Sequence, residues 1–191
     1  MNKELQKIIS DLEDRLSNKR FRHSVGVMYT AASLAMRYGI DINKACTAGI
    51  LHDYAKELSD EKLMDICKKD DVIITDYEKE KPYLLHGKAA ACLVKNKYDI
   101  DDEEVLSAIA HHTVGKVRMT PLEAIIFIAD YIEPNRKMIP GLTEIRRESF
   151  NDYNKACGMI LENVIKYINE IADDEIDEDS RITFEYYKRY L

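Results

Sequence analysis

Gly49-Ile-Leu-His-Asp-Tyr-Ala-Lys56 is the stretch from which the fold and the chemistry can both be read. Ala45, Ala48 and Gly49 precede His52 at helical spacing, so the segment reads as a helix whose small face lets a neighbouring helix approach closely. Adjacent residues on a helix point about 100° apart, so His52 and Asp53 can share one cation only at the helix surface. The remaining donors must then come from other helices. The chain has 5 histidines, His23, His52, His86, His111 and His112. Asp130 ends the apolar run Ile125-Ile-Phe-Ile-Ala-Asp130, where burying a carboxylate without a partner is costly. Imidazole nitrogens with carboxylate oxygens, and no thiolate among them, describe a metal site suited to iron, manganese, zinc or nickel.

Composition sets the surroundings of that site. With 191 residues, 46% of them hydrophobic, and no Pro/Gly/Ser-rich linker, residues 1–191 read as a single domain. A motif-bearing core of about 18–147 is expected, followed by C-terminal helices over 143–191. Only 7 Gly and 4 Pro, a charged fraction of 33% and long Ala, Leu, Ile, Glu and Lys stretches favour an all-α helical bundle. A net charge of -7 speaks against nucleic acid or an anionic membrane as partner and for a small-molecule substrate. Cys46, Cys67, Cys92 and Cys157 form no C-x-x-C pair and read as reduced, buried thiols. The opening Met1-Asn-Lys-Glu-Leu-Gln-Lys7 lacks a signal-peptide core, and no apolar run reaches the ~20 residues that span a bilayer. A cytoplasmic protein is the expectation.

Along the chain, periodicity predicts helices near Lys3–Leu16 and Asn18–Tyr38, the second carrying His23 and stopped by Gly39. Asp41 and Ser59 read as N-caps of the next two helices, the latter ending near Lys69. Asp70 to Pro82 reads as a loop. His86 opens an alanine-rich helix, and Asp101-Asp-Glu-Glu104 supplies the acidic first turn of the helix expected to deliver His111 and His112. Thr120-Pro-Leu-Glu123 is a capping box with Pro at the first helical position, placing Asp130 about two and a half turns inside. One long helix over Thr143–Ile171, an acidic turn Asp173–Asp179 and a short helix after Ser180 complete the reading.

The order His, His-Asp, His, His-Thr, Asp on a helix-rich chain resembles the HD-domain metal-dependent phosphohydrolases. Within them it is similar to the YqeK family of symmetrical diadenosine tetraphosphatases, also described as HD hydrolases of NAD metabolism. The likeness spans about Arg20 to Arg147. It rests on Arg20-Phe-Arg-His-Ser24, Ala48-Gly-Ile-Leu-His-Asp-Tyr-Ala-Lys-Glu57, His86-Gly87, His112-Thr-Val-Gly115, Met119-Thr120 and Ile128-Ala-Asp-Tyr-Ile-Glu-Pro-Asn-Arg136. Two features depart from the family: His111 stands where no histidine is reserved, and Ser180-Arg-Ile-Thr-Phe-Glu185 lacks the His-Pro that often precedes this threonine.

The resemblance implies that His23, His52, Asp53 and Asp130 hold a transition metal, with iron the first expectation and a second metal left open. It implies that Asp53, His86 and His112 serve catalysis, His86 and His112 facing the phosphates as donors, as a proton source for the leaving group or as ligands of a second cation. Arg20, three residues before His23, and Lys56, four after His52, fall on the ligand faces by spacing and suit phosphate charge. The family adds Thr113 and Arg136 to the substrate contacts, beside Asp53, Asp130, His86 and His112. Glu57 and Glu133 read as ion-pairing or ligand-orienting groups, and His111 as a satisfied core histidine. The activity implied is hydrolysis of an ADP-containing dinucleotide polyphosphate, diadenosine tetraphosphate, to two ADP. The rivals are an HD phosphatase or phosphodiesterase acting on another nucleotide, and a nucleotide-binding sensor without turnover. A homodimer is left open.

Overall fold

A computed structural model describes residues 3–169, 176 and 178–191, and among these it contains eleven α-helices and no strand. The all-α expectation holds. Helix α1 (Lys3–Arg15) buries Leu5, Ile8 and Leu12 on one face. Ser17 caps α2 (Asn18–Tyr38) by accepting from the Arg20 N–H, and Gly39 closes it in the left-handed region at φ 68°. Asp41 caps α3 (Ile42–Leu51). Helices α2 and α3 lie together at the close approach expected of the small residues: a Cβ on Gly49 would stand 2.9 Å from the Met28 Cα. Any side chain there forces the helices apart.

Ser59 caps α4 (Asp60–Lys69) as the sequence suggests. The expected loop over residues 70–82 contains a further helix, α5 (Asp76–Glu80), started by a reciprocal capping box between Thr75 and Glu78. Its single turn of periodicity is too short to stand out in a hydrophobic pattern. A 3-10 turn, Pro82–Leu85, then feeds α6 (His86–Tyr98), and Asp102 caps α7 (Glu103–Ala110). Helix α7 stops at Ala110, so His111 and His112 lie in the turn that follows and not inside the helix.

The Thr120/Glu123 capping box with Pro121 starts α8 (Pro121–Ile132) as predicted. Residues Leu122 to Ala129 of this helix are buried without interruption, and it packs against α2, α3, α7 and α10 (Tyr153–Tyr167). Burial on all sides explains why its apolar run shows no polar face. The expected long helix from Thr143 is two, α9 (Leu142–Glu148) and α10, broken over residues 149–152. Carbonyls freed at the break are bonded from α2: the Tyr38 hydroxyl donates to Ser149 O at 2.7 Å and Arg37 Nε to Phe150 O at 2.6 Å. Asp152 then caps the restart. Most of the expected acidic turn lies outside the described residues, and α11 (Glu178–Tyr187) begins at Glu178, inside the end of that turn and before Ser180.

One hydrophobic cluster joins residues from Leu5 in α1 to Tyr187 in α11. All four cysteines are free, but only Cys67 and Cys157 are buried as expected, Cys46 and Cys92 being partly exposed; burial pushes the Cys67 thiol up to about 11, which suits a packing role. Among the described residues no helix is long and apolar enough to cross a membrane.

Candidate functional site

Five helices and the turns at their ends bring the chemistry together. His23 comes from the second turn of α2, His52 from the C-cap of α3, His86 from the first residue of α6, His112 from the turn after α7, and Asp130 from the last turn of α8. His52 and Asp53 therefore sit where α3 ends and turns begin, not on a continuous helix. His52 keeps helical backbone angles, φ -52° and ψ -39°, and the Asp53 carboxylate in the following turn lies beside it, with Oδ2 3.2 Å from His52 Nε2. Both residues are nearly inaccessible, at 0% and 3% exposure.

Each inner histidine has its outer nitrogen committed. His52 Nδ1 lies 2.7 Å from Gly49 O, and His23 Nδ1 lies 3.1 Å from Glu133 Oε1. With those N–H groups donating outward, both Nε2 atoms turn lone pairs toward each other at 3.3 Å. Asp130 Oδ1 stands 2.9 Å from His23 Nε2 and 3.8 Å from His52 Nε2, while Asp53 Oδ2 is 3.5 Å from His23 Nε2. Four acceptors converge with no donor between the two imidazoles, an arrangement that only a cation or added protons can stabilise. His23, His52 and Asp130 present donor atoms within 4.8 Å of one another, a set that fits a metal ion, with Asp53 Oδ2 beside both imidazoles and Glu133 fixing the His23 tautomer.

The titration behaviour follows from the same packing. Burial drives His23 down, but the hydrogen bond and charge of Asp130, then Glu133 and Asp53, outweigh it and hold His23 above its ordinary value. Burial raises both carboxylates, but His52, His112 and His86 hold Asp53, and His23, Arg136 and His52 hold Asp130, well below the carboxylate range. A bound cation takes the place of the proton that these carboxylates otherwise draw to His23.

Asp53 faces a second group with its other oxygen. Oδ1 lies 3.3 Å from His86 Nε2 and 3.6 Å from His112 Nε2, and those two nitrogens are 3.1 Å apart. Their Nδ1 atoms are bonded to Tyr83 O and Ile109 O at 2.7 and 2.8 Å. Unlike the first group, this one has donors of its own. Thr113 Oγ1 sits 3.2 and 3.3 Å from the two Nε2 atoms, and Lys56 Nζ reaches within 3.3 Å of His86. Burial, reinforced by the neighbouring His112 and Lys56, lowers His86 to about 4, so that ring stays neutral.

The cations expected at the rim are all present. Arg20 Nη1 makes a short ion pair with Asp53 Oδ2, Arg136 Nη2 lies 2.8 Å from Asp130 Oδ1, and burial lowers the Lys56 ammonium from its usual value. Lys56 arrives there from a turn and not from a helical face. Glu57 accepts from both the Ser17 N–H, at 2.9 Å, and the Ser17 hydroxyl, at 2.5 Å, tying the start of α2 to the His52-Asp53 turn. His111, one residue from His112, points elsewhere: its Nδ1 is 2.9 Å from Ser107 O and its ring borders a separate cavity.

Gly26 had no place in the sequence reading. A Cβ there would come within 2.5 Å of Glu133 Oε2, so the absence of a side chain on α2 is what admits the carboxylate that orients His23. The glycine three residues after a candidate ligand, with a glutamate just beyond Asp130, is a faint signal that only the fold connects.

This all-α fold with its His, His-Asp, Asp donor set defines a class, the HD-domain proteins. A family model described as the HD domain matches residues 20–135, and the chain belongs to that family. Within it, the chain is 38% identical over 170 residues to the symmetrical bis(5'-nucleosyl)-tetraphosphatase of Bacillus subtilis (strain 168), covering 88% of each. It is 40% identical over 166 residues to the protein of the same name from Halalkalibacterium halodurans, covering 85% of this chain and 86% of that relative. A solved structure from Clostridium acetobutylicum, described as a predicted HD superfamily hydrolase involved in NAD metabolism, matches with a TM-score of 0.92 at 40% identity over 97% of both chains. The resemblance read from the motifs is thereby established.

Proposed function

We propose that the protein is a symmetrical bis(5'-nucleosyl)-tetraphosphatase that hydrolyses diadenosine tetraphosphate to two ADP. One observation carries the mechanism: Asp53 bridges the two groups, presenting Oδ2 to the His23/His52 side and Oδ1 to the His86/His112 side. The substrate comes from the relatives named above, whose length the chain nearly matches.

Held by His23, His52, Asp53 and Asp130, a divalent or trivalent metal, for which we take iron, supplies Lewis acidity to a phosphoryl oxygen and acidifies water. The chain's own residues do the rest. Arg20, Lys56 and Arg136 surround the centre with three cationic groups that match a polyphosphate, charge-assisted contacts being the strong ones. His86 and His112 face the phosphates from the Oδ1 side of Asp53, where His112 is assigned the proton-donor role toward the departing ADP oxygen, and the Thr113 hydroxyl touches both rings. In-line attack at an inner phosphate releases one ADP and leaves the new P–O bond on the other. His52, Asp53 and His112 also present three donors within 4.8 Å of one another, which favours a second cation as an alternative occupant on the His112 side. The site of action is taken to be the cytoplasm.

The test is metal analysis of anaerobically purified protein coupled to a panel of mononucleotides and dinucleoside polyphosphates. Rapid cleavage of the tetraphosphate supports the reading. Preferential release of phosphate from a mononucleotide favours another HD activity, and tight ADP binding without turnover favours a sensor.

A further inference from the structure

Beside the metal centre lies a cavity of about 260 Å3 that the reaction chemistry does not use. Thr113 is the shared wall: its hydroxyl touches His86 and His112 on one side, and the residue borders the cavity on the other. The cavity stands at the small end of the roughly 300–1,000 Å3 range of ligand pockets, a size for one nucleoside and not for a whole dinucleotide.

Its two lysines are already paired. Lys88 Nζ lies 2.7 Å from Glu78 Oε1, and Lys116 Nζ lies 2.7 Å from Glu123 Oε1. Both ammonium groups of the cavity wall are held by carboxylates. The apolar wall of Leu84, Val114, Val117 and Ile182 suits a flat uncharged ring. Into this wall is set the imidazole of His111, with the exposed Asp179 carboxylate at the cavity's edge. His111 commits Nδ1–H to Ser107 O at 2.9 Å, and its Nε2 has no hydrogen-bond partner among the described residues.

We propose that this cavity seats the base of one nucleoside and that His111 Nε2, as an acceptor, selects adenine through its exocyclic amino group. The inference rests on the nucleotide-hydrolase reading above and adds to it a specificity-determining residue. Adenine presents an amino donor at the edge where guanine presents a carbonyl acceptor, so guanine would set two lone pairs against each other. The discrimination from one neutral, half-exposed hydrogen bond is modest, about 5- to 10-fold.

The experiment measures ADP and GDP affinity of the metal-loaded protein by calorimetry, and kcat/KM for diadenosine and diguanosine tetraphosphate, in the wild type and in His111→Ala. The wild type should favour adenine in both assays, and His111→Ala should lower the ADP/GDP ratio about fivefold or more, with the kinetic change in KM. An unchanged ratio, or a wild type with no preference, overturns the inference while leaving tetraphosphate cleavage intact. Adenine preference that His111→Ala abolishes, in a protein that cleaves neither dinucleotide, would uphold the cavity's role and sink the hydrolase reading. Val117→Trp, at a position 38% exposed, gives an independent arm: it should fill the cavity and weaken ADP and GDP alike. Unaltered ADP affinity in Val117→Trp places the base elsewhere.

Discussion

Glu133→Gln is the perturbation for which the structure gives the sharpest expectation, because it changes no shape and Glu133 is not itself one of the metal-holding residues. Glu133 is 1% exposed, and its two oxygens have separate duties. Oε1 accepts from His23 Nδ1 at 3.1 Å, while Oε2 accepts from Asn135 N at 2.7 Å and from Asn135 Nδ2 at 3.0 Å. A carboxamide can serve only one side. With its oxygen toward His23, its amino group faces two donors of Asn135. Flipped, it satisfies Asn135 and donates toward His23, which forces the tautomer that carries the proton on Nε2, the atom meant for the metal. Loss of such an orienting group typically costs 10- to 100-fold in metal affinity, about 1.4–2.7 kcal/mol. Competition against a chelator of known affinity, with far-ultraviolet circular dichroism as a check on folding, reads this directly. Metal affinity equal to the wild type would refute the claim that Glu133 sets the His23 tautomer.

Other variants separate the layers of the site. His52→Ala and Asp53→Ala should lose metal and activity together while keeping helix content, and stoichiometric metal in both would remove them from the ligand set. Arg20→Ala, Lys56→Ala and Arg136→Ala should retain metal but bind ADP about 10- to 100-fold more weakly, since a charged hydrogen bond contributes about 1.5–3 kcal/mol. Unchanged ADP titrations in all three would confine these cations to their carboxylate partners. Glu123 is held below its ordinary 4.5 because, although burial raises it, Lys116, Ser107 and the Thr120 N–H favour its charged form. A depressed folded value gives stability that is present above the unfolded pKa and lost as pH falls through the folded one. Glu123→Gln should therefore be less stable at neutral pH by about 1–3 kcal/mol in denaturant melts, the deficit shrinking in acid, and a pH-independent deficit would contradict this.

What the sequence made legible was local. The caps at Asp41, Ser59 and Thr120 are carried by a few consecutive residues, so their helix starts were predicted. The convergence of His23, His52, Asp53 and Asp130 was legible because histidines are few and an aspartate inside an apolar run has to be explained. The misses depend on distant partners. The break between α9 and α10 is supported by Arg37 and Tyr38, over a hundred positions away, and the departure of Asp53 and His112 from regular helix carries no periodic signal. Spacing placed Arg20 and Lys56 near the site without showing that one pairs with Asp53 and the other overlies His86. His111 was read as core from its helical neighbour rule, yet α7 ends before it and its ring borders a cavity.

The most direct test of the central claim is the product analysis of a single early time point, with metal-loaded protein and diadenosine tetraphosphate in 18O-labelled water. Attack by water at an inner phosphate predicts ADP as the only nucleotide product, with one label shared between the two ADP molecules formed per turnover. Equal amounts of AMP and ATP would contradict symmetrical cleavage, and unlabelled ADP would contradict attack by water at phosphorus.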